Sequence, residues 1–311
     1  MNRLLEIDFI KGLAVIFMII FHIFYLPKYL GIDIQDDSLF LRCIARVSQF
    51  IFITMVGINM IVVNQYKKKK STEDHKLKEY EKSKKYSNTL KDLYENNYDF
   101  KQLTRVLYLS ITAACISLIT YALFDDWYVK FGIIHFVAAA LLILYKFVDN
   151  NKVLIPLNIV ILSIWGLKNM NDNFKMYEYF EWVPRKLAFI TGLYNIDYKA
   201  MDHFPLIPWL SVMINGVLIG KILYKDTNRN FKQLKNINDK VKDNRILRYI
   251  GYLGQYSFRI YLIHYVLIYL FYKYIYSNIS NYENNINYEN NINYENNINY
   301  ENNINYESVM V

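Results

Sequence analysis

The chain has 311 residues, of which 54% are hydrophobic and 17% aromatic, and its formal net charge is +8. The apolar residues gather in long blocks that charged segments separate, which is typical of a polytopic membrane protein and excludes a single soluble core. Because the lysines concentrate in loops between these blocks, membrane topology explains the positive charge more simply than nucleic-acid binding does. Cys43 and Cys115 lack the spacing of a disulfide framework or a metal site.

The first apolar block covers residues 3–26 and carries a polar stripe. At helical spacing one face collects Asp8, Lys11, Gly12, Val15, Ile19 and His22. His22 lies roughly 21 Å along the axis from Asp8, well inside a hydrocarbon slab about 30 Å thick. An ionisable side chain at that depth indicates a function, while the alternative is a neutral histidine bonded to a neighbouring helix. We expect the block to be retained as a signal-anchor helix.

The second apolar block covers residues 39–64, and Arg42 and Arg46 lie one turn apart near its start. Their side chains either extend to the membrane interface or bind an anionic group in a cavity. Residues 67–102 begin with four lysines and have mixed charge, so they predict a solvated, partly helical loop. Three further apolar blocks follow, at about residues 103–124, 131–148 and 153–167. The second of these blocks carries His135 near its beginning.

Residues 168–203 form a polar loop that ends in Asp202 and His203. We expect Asp202 to cap the following helix, since a carboxylate is favoured at a helix N-terminus. This sixth span ends near residue 224 and contains Gly216 and Gly220, a spacing that permits close packing of helices.

The last apolar block covers residues 251–275 and follows a segment, 225–249, that holds eight lysines or arginines. At helical spacing Ser257, Tyr261 and His264 share one face of it. Residues 277–311 are dominated by a six-residue repeat that cannot form a core, so they predict a disordered tail.

Together the blocks predict an all-α, polytopic membrane bundle of about seven transmembrane helices over residues 1–276. With seven spans, residues 67–102 follow the second span and residues 225–249 follow the sixth, so both lie on the side of the N-terminus. Since these loops hold most loop lysines, the positive-inside rule makes that side cytoplasmic. The chain is therefore predicted to be an integral, multi-pass membrane protein with a cytoplasmic N-terminus, in contact with membrane lipid. Whether it forms oligomers is left open.

Under this topology His22, His135 and His203 lie at the outer half of the membrane, and His264 lies nearer its middle. Histidine is suited to take a proton from an attacking amine or hydroxyl, or to carry an acyl group itself. Asp202 is a candidate for fixing a histidine tautomer. Metal binding is the competing use, but no two histidines have local ligand spacing, so no metal is predicted.

Four segments, in order, resemble motifs of a known family. They are Glu6–Ala14, Phe131–Phe136, Asp202–Lys221 and Tyr252–His264. They are similar to the catalytic domain of heparan-alpha-glucosaminide N-acetyltransferase and its bacterial relatives, in the transmembrane acyltransferase superfamily. The resemblance implies an enzyme that moves an acetyl group from acetyl-coenzyme A, as co-substrate, to an amine or hydroxyl of a sugar or glycolipid.

The resemblance also shapes the choice of site residues. Animal enzymes of the family have Asn at the position of His22 and a proposed acetyl-accepting histidine in the next loop, whereas residues 27–38 contain no histidine. Direct transfer with His22 or His135 as the base therefore fits this chain better. The predicted catalytic residues are His22, His135, Asp202, His203 and His264. The predicted donor-binding residues are Asp8, Lys11, Arg42, Arg46 and Trp209.

Two alternatives belong to other classes of function. A transporter or lipid-handling protein would use the same buried charges as a pathway for protons or substrate, without covalent chemistry. A purely structural member of the fold would use them for packing alone.

Overall fold

The computed structural model describes residues 3–30, 38–81, 98–170, 180–193, 200–225 and 228–275. Within these ranges the chain is helical except for turns and one short hairpin. It divides into two compact units, of which the larger comprises Met1–Met18 and Leu39–Ser257 and the smaller Ile19–Ser38 and Phe258–Val311.

The α-helices of the described residues are numbered in chain order. In order they are α1 (Leu5–Tyr25), α2 (Leu39–Glu81), α3 (Tyr98–Phe124), α4 (Ile133–Leu144), α5 (Asn151–Met170), α6 (Arg185–Thr191), α7 (Leu206–Leu223), α8 (Lys232–Asp243), α9 (Arg245–Gln255) and α10 (257–275). Short 3₁₀ turns cover Leu26–Leu30 and Asp125–Trp127. An antiparallel hairpin pairs β1 (Tyr224–Lys225) with β2 (Asn228–Arg229).

Five helices among the described residues contain a segment long and apolar enough to cross a membrane, namely α1, α2, α3, α5 and α7. The helix α4 is apolar but has only 12 residues. The prediction of an all-α membrane bundle is thus confirmed, and the number of about seven spans stays a prediction.

The helix α2 continues to Glu81 and so covers part of the segment 67–102, which is expected to be a partly helical loop, because Lys and Glu are good helix formers. Two other segments differ from their expected form. The basic segment 225–249 contains the end of the hairpin and the helix α8. The block 251–275 is divided at Tyr256, where α9 ends and α10 begins one residue later. The predicted tail, 277–311, lies outside the described residues.

Glycines let α2 and α7 approach each other closely. A Cβ atom added to Gly57 would collide with the carbonyl oxygen of Met213, and one added to Gly216 would collide with the carbonyl oxygen of Thr54. A Cβ atom added to Gly220 would collide with a side-chain methyl group of Ile61 and would come within 3.1 Å of the Cα of Ile58. Close approach of backbones is what holds helices together in lipid, where no hydrophobic effect drives their association. The close packing expected at Gly216 and Gly220 is therefore confirmed.

A polar ladder joins α5 to α7. The hydroxyl of Ser211 donates to the amide oxygen of Asn158 at 2.5 Å, and the amide nitrogen of Asn158 donates to Asn215 at 2.8 Å. Ser211 and Asn158 are both buried. Hydrogen bonds of this kind contribute about 0.6 kcal/mol each between membrane helices, so the ladder supports the packing without dominating it.

A buried ion pair ties the start of α1 to the hairpin. Arg229 donates two hydrogen bonds to the carboxylate of Glu6, at 2.6 and 3.0 Å, and the hydroxyl of Tyr224 donates a third at 3.2 Å. Glu6 is 1% exposed. Hydrogen bonding to this carboxylate raises the pKa of Arg229, whereas burial is the main cause that raises the pKa of Tyr224. Both groups therefore keep their protons, and the Glu6 charge stays compensated.

We predict that Gly216→Ala destabilises the protein, because the new methyl group must push α7 away from the Thr54 carbonyl. Overpacking of this size costs about 1–3 kcal/mol. The matched control is Gly166→Ala in α5, where no described atom lies within 4 Å of the new Cβ. That variant should be as stable as the wild type or up to about 1 kcal/mol more stable. Thermal unfolding in detergent micelles measures both, and equal effects of the two substitutions would contradict the packing described for Gly216.

We also predict that Arg229→Gln destabilises the protein by about 3 kcal/mol or more, because it leaves the Glu6 carboxylate buried without its countercharge. The double variant Glu6→Gln with Arg229→Gln should recover much of this loss, since no buried charge remains. Thermal unfolding of the wild type, both single variants and the double variant forms a complete double-mutant cycle. Additive effects would show that the two side chains do not interact.

Candidate active site

The smaller unit contains a buried histidine whose tautomer is fixed by its own helix. His264, on α10, is 4% exposed. Its Nδ1 lies 2.6 Å from the carbonyl oxygen of Tyr261 and 3.2 Å from that of Ile260. Since a carbonyl oxygen only accepts, Nδ1 must carry the proton, and Nε2 of the neutral ring then presents a lone pair. Among the described residues, none forms a hydrogen bond with this buried Nε2.

The second histidine of the smaller unit lies against the first. The ring centroids of His22 and His264 are 4.9 Å apart, with the rings in an edge-to-face arrangement. Nε2 of His22 is 2.8 Å from the hydroxyl of Tyr265. The Tyr265 ring contacts both histidines, at centroid distances of 4.7 and 4.6 Å. Two imidazoles and a phenol thus form a compact, titratable cluster, which we call the His22–His264 cluster.

In the larger unit, His135 is held by hydrogen bonds at both ring nitrogens. The backbone N–H of Gly132 donates to Nδ1 at 3.3 Å, closing the first turn of α4. Nε2 lies 3.1 Å from the hydroxyl of Ser117, which itself donates to the carbonyl of Val129 at 2.6 Å. Ser117 must therefore accept from the N–H of His135. A proton-accepting role for His135 would require one of these bonds to break.

Asp202 caps a different helix from the one expected. Its carboxylate accepts from the backbone N–H of Ile133 at 3.2 Å, so it serves the N-terminus of α4. The helix α7 instead begins after Pro205 and has no side-chain cap. A tertiary contact explains why Asp202 caps α4: the backbone of His203 pairs with that of Phe131, which brings Asp202 beside the start of α4.

His203 follows Asp202 and is exposed on this surface of the larger unit. Its Nε2 donates to the carbonyl oxygen of Phe189 at 2.8 Å. Partial burial lowers the pKa of His203, with the Lys168 charge acting in the same direction and the Phe189 hydrogen bond opposing it. The Lys168 ammonium donates to the carbonyl of Gly192 at 3.1 Å, which fixes that charge nearby.

The predicted donor-binding residues occupy separate places within the larger unit. The Asp8 carboxylate lies between Arg3, at 2.5 Å, and Lys11, at 3.8 Å, and only 14% of the Lys11 side chain is exposed. Arg42 and Arg46 are exposed near the start of α2, and Arg46 donates to Gln49 at 3.2 Å. Lys11 is thus paired and largely buried, whereas the two arginines lie on the surface.

Trp209 is buried at the start of α7. Its ring packs between those of Phe204 and Phe50, at centroid distances of 5.1 and 5.3 Å. Only Phe50 of these three side chains is exposed, so Trp209 contributes to an aromatic cluster beneath the surface.

Two hydroxyl groups that bind the predicted histidines have no signal in the sequence. Tyr265 follows His264 by one residue and therefore lies off the face that Tyr261 and His264 share. Ser117 lies in the middle of an apolar helix, where nothing in the local pattern links it to His135, 18 residues further on. Both contacts depend on how the helices pack, so no local sequence signal could have revealed them.

The fold and these contacts define a polytopic membrane protein with titratable clusters inside its helical units. The family model described as "Heparan-alpha-glucosaminide N-acetyltransferase, catalytic" matches residues 3–266, a range that includes every predicted site residue. The chain belongs to this family of membrane acetyltransferase-like proteins. Comparisons with curated proteins and with solved structures return no match.

We predict that His203 makes the protein less stable in acid. Its folded pKa lies below the ordinary value of 6.5, so the unfolded chain binds a proton more readily and stability falls as the pH drops below about 6.5. His203→Gln removes this contribution, so the decrease in unfolding temperature between pH 7.5 and pH 5.5 should be smaller than in the wild type. An equal decrease in both proteins would show that His203 titrates alike in the folded and unfolded states.

Proposed function

We propose that the protein transfers an acetyl or other short acyl group from acyl-coenzyme A to an amine or hydroxyl of a sugar or glycolipid. Membership of an acetyltransferase family supports the reaction class. The observation that supports His264 as the catalytic base is its buried Nε2, which carries no proton and has no hydrogen-bond partner among the described residues. A lone pair kept without a partner in a buried place is what a general base requires.

The proposed chemistry is a direct acyl transfer. The acceptor nitrogen or oxygen attacks the thioester carbonyl carbon while Nε2 of His264 takes the acceptor's proton. The new bond to the acyl carbon forms, the carbon–sulfur bond breaks, and the coenzyme A thiolate leaves. The thiolate then receives the proton from the His264 imidazolium, which returns the histidine to its starting form. The hydrogen bond from Nδ1 to the Tyr261 carbonyl supports this cycle, since it fixes the tautomer and strengthens when the ring is charged.

The other candidate residues take supporting roles in the proposal. His22 and Tyr265 lie against His264, and its proton would exchange with them when the rings move into hydrogen-bond contact. We assign His135 and Asp202 to holding the start of α4, since their hydrogen bonds are made there. His203, which is exposed, is the second candidate for a base.

We also propose how the acyl donor binds and from which side of the membrane it enters. Arg42 and Arg46 are exposed guanidinium groups suited to the phosphates of coenzyme A, whereas Asp8 and Lys11 form a separate charged pair at the start of α1. With the N-terminus in the cytoplasm, acyl-coenzyme A would enter past Asp8 and Lys11 on that side and would meet Arg42 and Arg46 at the opposite end of the span. Trp209 is proposed to line the path of the donor.

We predict that His264→Gln lowers kcat for acetyl transfer by about 100-fold or more, because the reaction loses its base. The assay follows incorporation of label from acetyl-coenzyme A into amino sugars, with the full chain reconstituted in nanodiscs. His22→Gln should have a smaller effect, mainly on the pH profile. The matched control is Tyr272→Phe, which removes a 2.8 Å hydrogen bond to the Ile23 carbonyl in the same unit and should leave kcat unchanged.

Two results would contradict the proposal. The first is a His264→Gln variant as active as Tyr272→Phe. The second is uptake of sugar into proteoliposomes without acyl-coenzyme A, in the absence of any acyl transfer, which would identify a transporter.

A further inference from the structure

The helix α9 has two unlike faces. One face is buried and built on small residues, with Gly251 and Gly254 buried along it. The opposite face is exposed and presents large side chains, with Ile246 70%, Tyr249 54% and Tyr252 49% exposed. Arg245 and Arg248 are exposed beside them. A helix with such faces is fixed on one side and available for contact on the other.

The buried face of α9 lies against the start of α1. A Cβ atom added to Gly254 would collide with the carbonyl oxygen of Asp8, and one added to Gly12 would collide with the carbonyl oxygen of Ile250. The helix α9 is therefore held at the end of α1 that carries Asp8 and Lys11. Under the proposed topology this is the cytoplasmic end of the membrane span.

The exposed face combines the side chains that are favoured where a membrane meets water. Tyrosine places an apolar ring towards the acyl chains and its hydroxyl towards the headgroups, and isoleucine adds apolar area. The guanidinium of Arg245 lies over the Tyr249 ring, 5.7 Å from its centroid, with a hydrogen bond of 3.4 Å to its hydroxyl. This contact orients the cation on the aromatic surface without neutralising it.

The positive charge of this face is uncompensated within the part of the chain that the structure describes. Neither Arg245 nor Arg248 forms an ion pair with a described carboxylate. The segment 225–249 holds eight lysines or arginines against three aspartates. The helix α8, which carries four of these lysines, packs beside α9 through Val241 and Gly251. The charge of this segment therefore favours an anionic occupant.

We propose that the exposed face of α9 is a docking surface for the headgroups of anionic phospholipids in the cytoplasmic leaflet. The planar guanidinium of Arg248 can bind a phosphate through two parallel hydrogen bonds, and Arg245 can do so above the Tyr249 ring. Tyr249, Tyr252 and Ile246 would occupy the headgroup and upper acyl zone. The inference uses contacts outside the His22–His264 cluster and does not depend on the proposed acyl transfer.

Native mass spectrometry of the full chain in detergent tests this inference, with phosphatidylglycerol or phosphatidylcholine added in parallel titrations. The wild type should bind phosphatidylglycerol more tightly than phosphatidylcholine. Arg245→Gln with Arg248→Gln should weaken the binding of the first phosphatidylglycerol molecule by about 25-fold, since each arginine near a membrane surface contributes roughly fivefold. The control pair Lys232→Gln with Lys235→Gln makes the same change in charge on exposed positions of α8 and should weaken it far less.

Any one of three other outcomes would overturn the inference. Equal binding of the two lipids by the wild type would show that the face has no preference for anionic headgroups. An equal loss in the α8 control would mean that the charge acts diffusely, without a surface on α9. Displacement of phosphatidylglycerol by millimolar inorganic phosphate would identify a soluble phosphate site instead of a lipid surface. Circular dichroism of all variants confirms that the helices are intact.

Discussion

The hydrogen bond from Nδ1 of His264 to the carbonyl of Tyr261 is the interaction on which the account of the site depends. It is short, at 2.6 Å, and it uses a backbone acceptor within the same helix. Because a carbonyl can only accept, this one bond specifies where the ring proton lies and leaves the lone pair on the buried Nε2. Membership of an acetyltransferase family supports our proposal that this lone pair accepts the acceptor's proton.

The comparison with His135 shows that surroundings decide the role of a histidine inside a helical membrane protein. Both side chains point from apolar helices, but His135 accepts from the Gly132 N–H and donates to Ser117, so both of its ring nitrogens are engaged. It stabilises the start of α4 in the manner of a capping residue. His264 has one engaged nitrogen, and for this reason we propose it as the base.

Periodicity and hydropathy predicted the helical membrane bundle, and the spacing of Gly216 and Gly220 predicted a close helix contact, because these features depend on local sequence alone. The i, i+3 spacing of Tyr261 and His264 likewise placed them on one face.

Two contacts of the site could not be predicted, namely the pairing of His22 with Tyr265 and the capping of α4, not α7, by Asp202. Both join residues 69 or more positions apart in sequence. Such contacts are set by packing, and no local pattern encodes them. The hairpin after α7 was missed for a similar reason, since strands of two residues carry no periodicity.

Solid-state NMR of the full chain, labelled with ¹⁵N-histidine and reconstituted in lipid, tests the central claim most directly. The His264 signal is assigned by its loss in the His264→Gln variant. The account predicts a neutral ring at pH 7 with a protonated Nδ1 and an unprotonated Nε2, and a strong coupling of Nδ1–H to the Tyr261 carbonyl. A ring protonated at Nε2, whether as the other tautomer or as an imidazolium, would contradict it.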